Sequence, residues 1–175
     1  KFPGIGKEKT FFLAWTTTPW TLPANTALAV NPELMYVAAE LEETGETLIF
    51  AEALQSEVLK QYYPLKSGGV EFEITGRWKG SELEGMRYEP LFTLLPPDGD
   101  AHRVVLGDHV TADSGTGIVH TAPAFGEEDF EMMKLHDLPI LETVDDEGKM
   151  IESMGPFAGM KIRDANEPIM ADLKT

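Results

Sequence analysis

A mainly β fold with peripheral helices is predicted by three features of the sequence. Short runs rich in aromatic and β-branched residues recur along the chain, set apart by scattered Gly and Pro. Only three segments carry helical spacing. The 175 residues are 42% hydrophobic with no internal repeat, enough for one domain with a real core, assigned here to residues 1–175. Many short strands with few helices fit a β-barrel or sandwich decorated by helices.

"TFFLAWTTT" (10–18) reads as a strand stopped by Pro19, which has no N–H for a ladder. "TALAV" (26–30), "MYVAAEL" (35–41) and "ETLIF" (46–50) follow as strands, with "EETGE" (42–46) as the hairpin turn between the last two. "AEALQSEVLKQYY" (51–63) has helical spacing and ends before Pro64. "GVEFEITGRW" (69–78) alternates apolar and acidic residues, as a half-buried strand should. "HRVVLGDHV" (102–110) and "GTGIVHTAP" (115–123) are further strand candidates joined by a polar turn. "GEEDFEMMKLHDLP" (126–139) is the clearest helix, with acids in its first turn and a stop before Pro139. "PILETV" and "KMI" flank the turn "DDEG" (145–148), and "DANEPIMADLK" (164–174) reads as a helix capped by Asp or Asn.

The charge balance and the missing residue types exclude several functions. Net charge is −16, with 14 basic residues against 30 acidic ones and no Lys/Arg cluster. A nucleic-acid binder draws most of its affinity from phosphate contacts, so any such contact here must be small, local or supported from outside the chain. The chain has no Cys, which removes disulfides, thiolate catalysis and thiolate zinc sites. No apolar run reaches the ~20 residues of a membrane span. No basic-then-apolar leader opens the chain, and its ends suggest a piece of a longer protein, so a cytoplasmic location is expected.

Among catalytic arrangements, a serine triad lacks its G-x-S-x-G turn, and Ser114 in "DSGTG" reads as a turn residue. His102, His109, His120 and His136 never fall at the H-x-x-x-H spacing of a helical metal site, so no metal is expected. "GTG" (115–117) reads as a tight turn entering a strand. Two segments remain. In the first, Thr16 and Thr18 would face one way along a strand and Thr17 the other, so they share a surface only if the strand ends or twists there. Trp20 and Asn25 follow in a proline-broken loop. In the second, Ile118, His120 and Ala122 would alternate onto one strand face, placing a lone imidazole among small apolar side chains. Glu127, Glu128 and Asp129 then open a helix. They either complement its dipole or turn one carboxylate inward to hold a cation such as a substrate ammonium group, and composition leaves both open.

"WTTTPWTLPAN" (15–25) and "GTGIVHTAPAFGEEDF" (115–130), with the "DAN" element (164–166), resemble the editing domain inserted in isoleucyl-tRNA synthetases, a class I family. Valyl and leucyl relatives share the plan but have Thr-Thr-Arg-Pro followed by an acid; here Thr18 stands for the Arg and Trp20 for the acid. The HIGH and KMSKS aminoacylation signatures are absent from this stretch. The resemblance implies the barrel fold of these editing domains and a deacylase activity. Valine wrongly attached to isoleucine tRNA would be removed, and valyl-adenylate would be a further substrate. One methylene is worth only ~1–3 kcal/mol in a binding pocket, the isoleucine–valine pair being the standard illustration, so a second sieve is needed.

By the same resemblance, Thr16, Thr17 and Thr18 line the hydrolytic pocket and position water and the terminal ribose. Asp129 pairs with the α-ammonium group, His120 excludes isoleucine, and Trp20 and Asn25 are pocket wall and polar contact. Editing would need no cofactor, ATP and Mg being used by the full-length synthetase elsewhere. The implied partners are the 3′ end of valine-charged isoleucine tRNA and the remaining synthetase domains, with no membrane and a monomeric chain. The rival readings are a valyl-type domain clearing threonine and a non-catalytic β-barrel that binds.

Overall fold

A computed structural model describes residues 9–62 and 71–174. It contains a four-stranded sheet, in the order β1-β4-β3-β5, and a three-stranded sheet, β6-β2-β7. The strands are β1 (Thr10–Phe12), β2 (Ala27–Val30), β3 (Met35–Leu41), β4 (Thr47–Ala51), β5 (Phe72–Lys79), β6 (Arg103–Leu106) and β7 (Ile118–Thr121). The helices are α1 (Gln55–Tyr62), α2 (Gly80–Leu83), α3 (Glu127–His136) and α4 (Ile162–Asp172). The expectation of many short strands with few helices holds, but helical residues are about as numerous as strand residues, and among the described residues neither sheet closes on itself as a barrel. No described helix is long and apolar enough to cross a membrane.

The chain divides into two compact units, and the division falls within β2, β6 and β7. The first comprises described residues 9–15, 29–62, 71–84 and 105–119. Its centre is the antiparallel pair β3–β4, in register from Tyr36↔Ala51 to Glu40↔Thr47. The "EETGE" turn closes that hairpin as expected: Gly45 has φ +67°, and its N–H donates to the Leu41 carbonyl at 2.9 Å. Every residue of β4 is buried, so the strand reads as a continuous apolar run. Tyr36 is wholly buried in this core, donating its hydroxyl to the Gly117 carbonyl at 2.7 Å and accepting from Asn31 N at 2.9 Å. Gly117 has φ +71°, and a Cβ there would lie 2.3 Å from the Ala51 Cβ. "GTG" is thus a tight turn entering β7, where only glycine fits.

The second unit comprises described residues 16–28, 85–104 and 120–174. Met150, Met154, Phe157, Ala165 and Ile169 form its core, with Trp20, Leu22 and Phe92 packed against them. The "DDEG" turn is present: Asp145 N donates to the Lys149 carbonyl at 2.8 Å, and Val144 bridges Met150.

Several boundaries differ from the sequence reading. The first strand stops at Phe12, not at Pro19, and Trp15 makes only an isolated bridge to Val119. Pro19 instead opens a 3-10 helix, Pro19–Ala24, where its fixed φ and missing N–H suit the first turn. "AEALQSEVLKQYY" splits: Ala51 closes β4, a 3-10 turn covers Glu52–Leu54, and α1 follows; its expected stop at Pro64 lies outside the described residues. Residues 69 and 70 of the "GVEFEITGRW" strand also lie outside them, while β5 runs from Phe72. "HRVVLGDHV" contributes only four strand residues, because His102 has φ +56° and Gly107–Val110 turns. The last helix begins at Ile162, with Lys161 as N-cap and no side-chain cap. Asp164 therefore sits in the first turn, and the Asn166 side chain is free for a tertiary partner.

Candidate functional site

The threonine segment is shaped by its own hydroxyls and by the proline after it. Thr18 N donates to Thr16 Oγ1 at 3.0 Å, and the two hydroxyl oxygens lie 3.4 Å apart. Strand alternation therefore does not govern these residues. Thr16 and Thr18 share one side of a local turn, and Thr17 stands exposed at the bend between them. Thr18 then caps the 3-10 helix with its carbonyl, which accepts from Thr21 N at 3.0 Å and from Thr21 Oγ1 at 2.9 Å.

Thr21 links this segment to β7. Its Oγ1 lies 2.9 Å from His120 Nε2, while Asn25 Nδ2 lies 2.9 Å from His120 Nδ1. The proton positions follow from a carbonyl. Asn25 Nδ2 also faces the Ala27 carbonyl at 2.9 Å, and a carbonyl only accepts, so that atom is the amide nitrogen. An N–H aimed at Nδ1 requires Nδ1 unprotonated, which puts the ring proton on Nε2. Nε2–H then donates to Thr21 Oγ1, whose own proton goes to the Thr18 carbonyl. Burial points the same way: it lowers the His120 pKa to about 4. The imidazole is neutral at pH 7 with both nitrogens engaged. The expected lone imidazole among apolar neighbours is corrected here: β7 does place His120 beside buried Ile118, but its ring is held by polar groups of the first motif.

Of the three acids opening α3, Glu127 and Glu128 are exposed and Asp129 is half-buried. Asp129 Oδ2 accepts from the buried Ala122 N at 3.0 Å, tying the first turn of α3 to the residue after β7. One carboxylate of the three, that of Asp129, turns inward, onto a backbone N–H. Between them, Phe125 packs edge-on against Trp20, with ring centroids 4.8 Å apart at 67°. The Trp20 backbone N–H donates to Asn166 Oδ1 of α4 at 3.0 Å.

The structure thus joins Thr16, Thr18, Asn25 and His120, through Thr21, in one hydrogen-bonded set, and sets Trp20 against Phe125 and Asp129 on Ala122 N. Sequence reasoning did not single out Thr21, Tyr88 or Phe125. Tyr88 donates its hydroxyl to Asn25 Oδ1 from 63 residues away in the chain, and no spacing rule could have signalled that. Ser114 lies exposed in the bend before the Gly115 turn, as read. Among the described residues, no three His, Asp or Glu side chains are grouped to hold a metal ion.

The chain matches no protein-family model. It is 45% identical over 174 residues to the isoleucine–tRNA ligase of Clostridium novyi, and 49% identical over 177 residues to that of Methanothermobacter thermautotrophicus. These alignments cover 99% and 100% of this chain, which spans only 16% of the length of either relative. In three dimensions it is similar to GlLeuRS-CP1, with a TM-score of 0.75 at 16% identity, over 98% of this chain and 82% of that one. The editing domain of the P. knowlesi cytosolic leucyl-tRNA synthetase aligns with a TM-score of 0.69 at 16% identity, over 94% of this chain and 82% of its own. By sequence along its whole length and by fold, the chain belongs to the isoleucyl-tRNA synthetase family, as the segment that takes the fold of the editing domain.

Proposed function

We propose that residues 1–175 form a single editing domain of a longer synthetase. In this reading the domain hydrolyses the ester joining valine to isoleucine tRNA and accepts valyl-adenylate as a second substrate. The observation that carries the reading is the pair of 2.9 Å hydrogen bonds that tie Thr21 and Asn25 of the first motif to His120 of the second. They make one constellation of residues 95 and 99 positions apart.

An aminoacyl ester is already activated, so a held water and hydrogen bonds to the developing oxyanion are enough. The Thr16, Thr17 and Thr18 hydroxyls supply that positioning together with contacts to the terminal ribose. The His120 Nδ1 lone pair already accepts from Asn25, so the ring acts as a fixed wall that stops the larger isoleucine side chain. Asp129 takes the α-ammonium group, Trp20 closes the pocket and Asn25 adds a polar contact. Editing proceeds without a cofactor or metal, ATP and Mg belonging to aminoacylation outside this chain. A single 3′ adenosine is bound by stacking and hydrogen bonds. The other synthetase domains grip the rest of the tRNA, in keeping with a net charge of −16. The chain itself is a monomer.

The test is deacylation by this chain of isoleucine tRNA charged with valine, threonine or isoleucine, with EDTA present throughout. Valine should be released well above the buffer rate and isoleucine should not. No release of valine, a preference for threonine, or a loss restored by zinc would overturn the reading.

A further inference from the structure

We propose that Tyr88 is a positioning residue for the specificity pocket, its phenol holding the Asn25 amide so that His120 keeps one tautomer and one ring orientation.

The donors and acceptors around one amide fix its orientation. Asn25 Nδ2 has two hydrogens; its two short contacts, to the Ala27 carbonyl and to His120 Nδ1, are each at 2.9 Å, and the Thr121 carbonyl shares them at 3.4 Å. Oδ1 of the same amide therefore faces away from both and needs a donor. The Tyr88 hydroxyl is that donor. Tyr88 is itself firmly placed. Its N–H donates to the His102 carbonyl at 3.2 Å, and its ring stands edge-on to His102 with centroids 5.9 Å apart. The preceding Arg87 bridges Arg103 backbone to backbone and donates from Nη1 to the Ala101 carbonyl at 2.9 Å. Asp100 pairs with both guanidinium groups, clamping the segment that carries the phenol. Burial raises the phenol pKa above its ordinary value, so the hydroxyl keeps its proton at every working pH.

Remove that hydroxyl and Oδ1 becomes a buried acceptor with nothing to accept. The amide relieves this by rotating toward water, since a flip in place would set Oδ1 against the Ala27 carbonyl. Rotation takes the N–H away from His120 Nδ1. Of the two contacts that hold the ring proton on Nε2, only the one to Thr21 Oγ1 then remains, and the wall of the pocket loosens.

The consequence for selectivity rests on the editing function proposed above; the effect on the histidine does not. The test therefore has two readouts on Tyr88→Phe, which keeps the ring and loses only the hydroxyl. Imidazole nitrogen–proton correlation spectra, with His120 assigned by its loss in His120→Gln, should show almost pure Nε2–H in the parent chain. They should show a mixture of tautomers in Tyr88→Phe. Asn25→Asp is the second variant: a carboxylate cannot donate to Nδ1, so it should drive the proton onto Nδ1. The ratio of valyl to isoleucyl deacylation rates should fall about 3- to 10-fold in Tyr88→Phe, what one hydrogen bond's net worth would give. An unchanged tautomer in Tyr88→Phe, whatever Asn25→Asp shows and even with a lowered melting temperature, would reduce Tyr88 to a packing residue and overturn the proposal. A tautomer changed in Tyr88→Phe while the parent chain hydrolyses no ester would keep the positioning role and sink only the editing reading.

Discussion

Asp129→Ala should weaken binding of a valyl ester by about 30-fold to several thousand-fold while leaving adenosine affinity nearly unchanged. Truncating one partner of a desolvated ion pair costs ~2–5 kcal/mol, because the surviving charge is left without compensation. Asp129 is the one acid of its helix turn that faces inward, so the α-ammonium group of the substrate would lose its counter-charge. The alanine variant carries a second cost. Asp129 Oδ2 accepts from Ala122 N, and that buried donor would be stranded. Asp129→Asn separates the two effects. Its amide oxygen still accepts from Ala122 N, so the clip between α3 and β7 survives while the negative charge is gone. Calorimetric titration with a non-hydrolysable valyl-adenosine analogue and with adenosine reads the difference. If Asp129→Asn binds the analogue as tightly as the parent, the carboxylate is structural and the assigned role fails.

His120→Ala should let the domain hydrolyse correctly charged isoleucyl ester, raising that rate roughly 4- to 15-fold, with the valyl rate little changed. Removing the ring opens space for one or two methylenes, each worth ~0.8 kcal/mol of burial. The measurement is a pair of deacylation rates in parent and variant. A parallel fall in both would make His120 a catalytic base and sink the gatekeeper role. The pH profile gives an independent check. With the folded pKa lowered to about 4, the parent rate should show no inflection near the ordinary imidazole value of 6.5. Stability should respond instead. Between about pH 6.5 and 4 the unfolded chain binds a proton at this residue that the folded chain does not, so stability falls as pH is lowered through that window, by about 3 kcal/mol at most. His120→Ala also takes one partner each from Thr21 Oγ1 and Asn25 Nδ2, so its melting temperature must be recorded beside its rates.

How far the sequence reaches depends on whether a feature is local. The β3–β4 hairpin was legible because strand propensity and a Gly at the turn both act within a few residues. The core of α3 was legible for the same reason: acids in the first turn and a proline beyond its end. The two motif segments stood out, and the lack of Cys removed whole classes of chemistry. The errors fell where a side chain found a backbone partner that propensity does not weigh, once two residues away and once across the fold. Thr16–Thr18 looked like the end of a strand, but a Thr16 hydroxyl bonding Thr18 N turns the chain before Pro19 is reached. Asn166 looked like a helix cap, but it accepts from Trp20 N, 146 residues earlier, and the helix begins without it.

The sequence by itself determined a fold of many short strands with few helices, the absence of thiol chemistry, and the two segments from which a site could be made. Tertiary structure alone decided which of three adjacent carboxylates turns inward. It also decided that His120 is neutral, and which of its nitrogens carries the proton. Those outcomes depend on single acceptors and donors delivered from distant positions: Ala122 N for Asp129, Asn25 and Thr21 for His120, Tyr88 for Asn25. Propensity and periodicity describe how a segment meets its own neighbours. They carry no information on which buried polar atom will find which partner once the chain has closed, and here that pairing sets both the charge and the shape of the site.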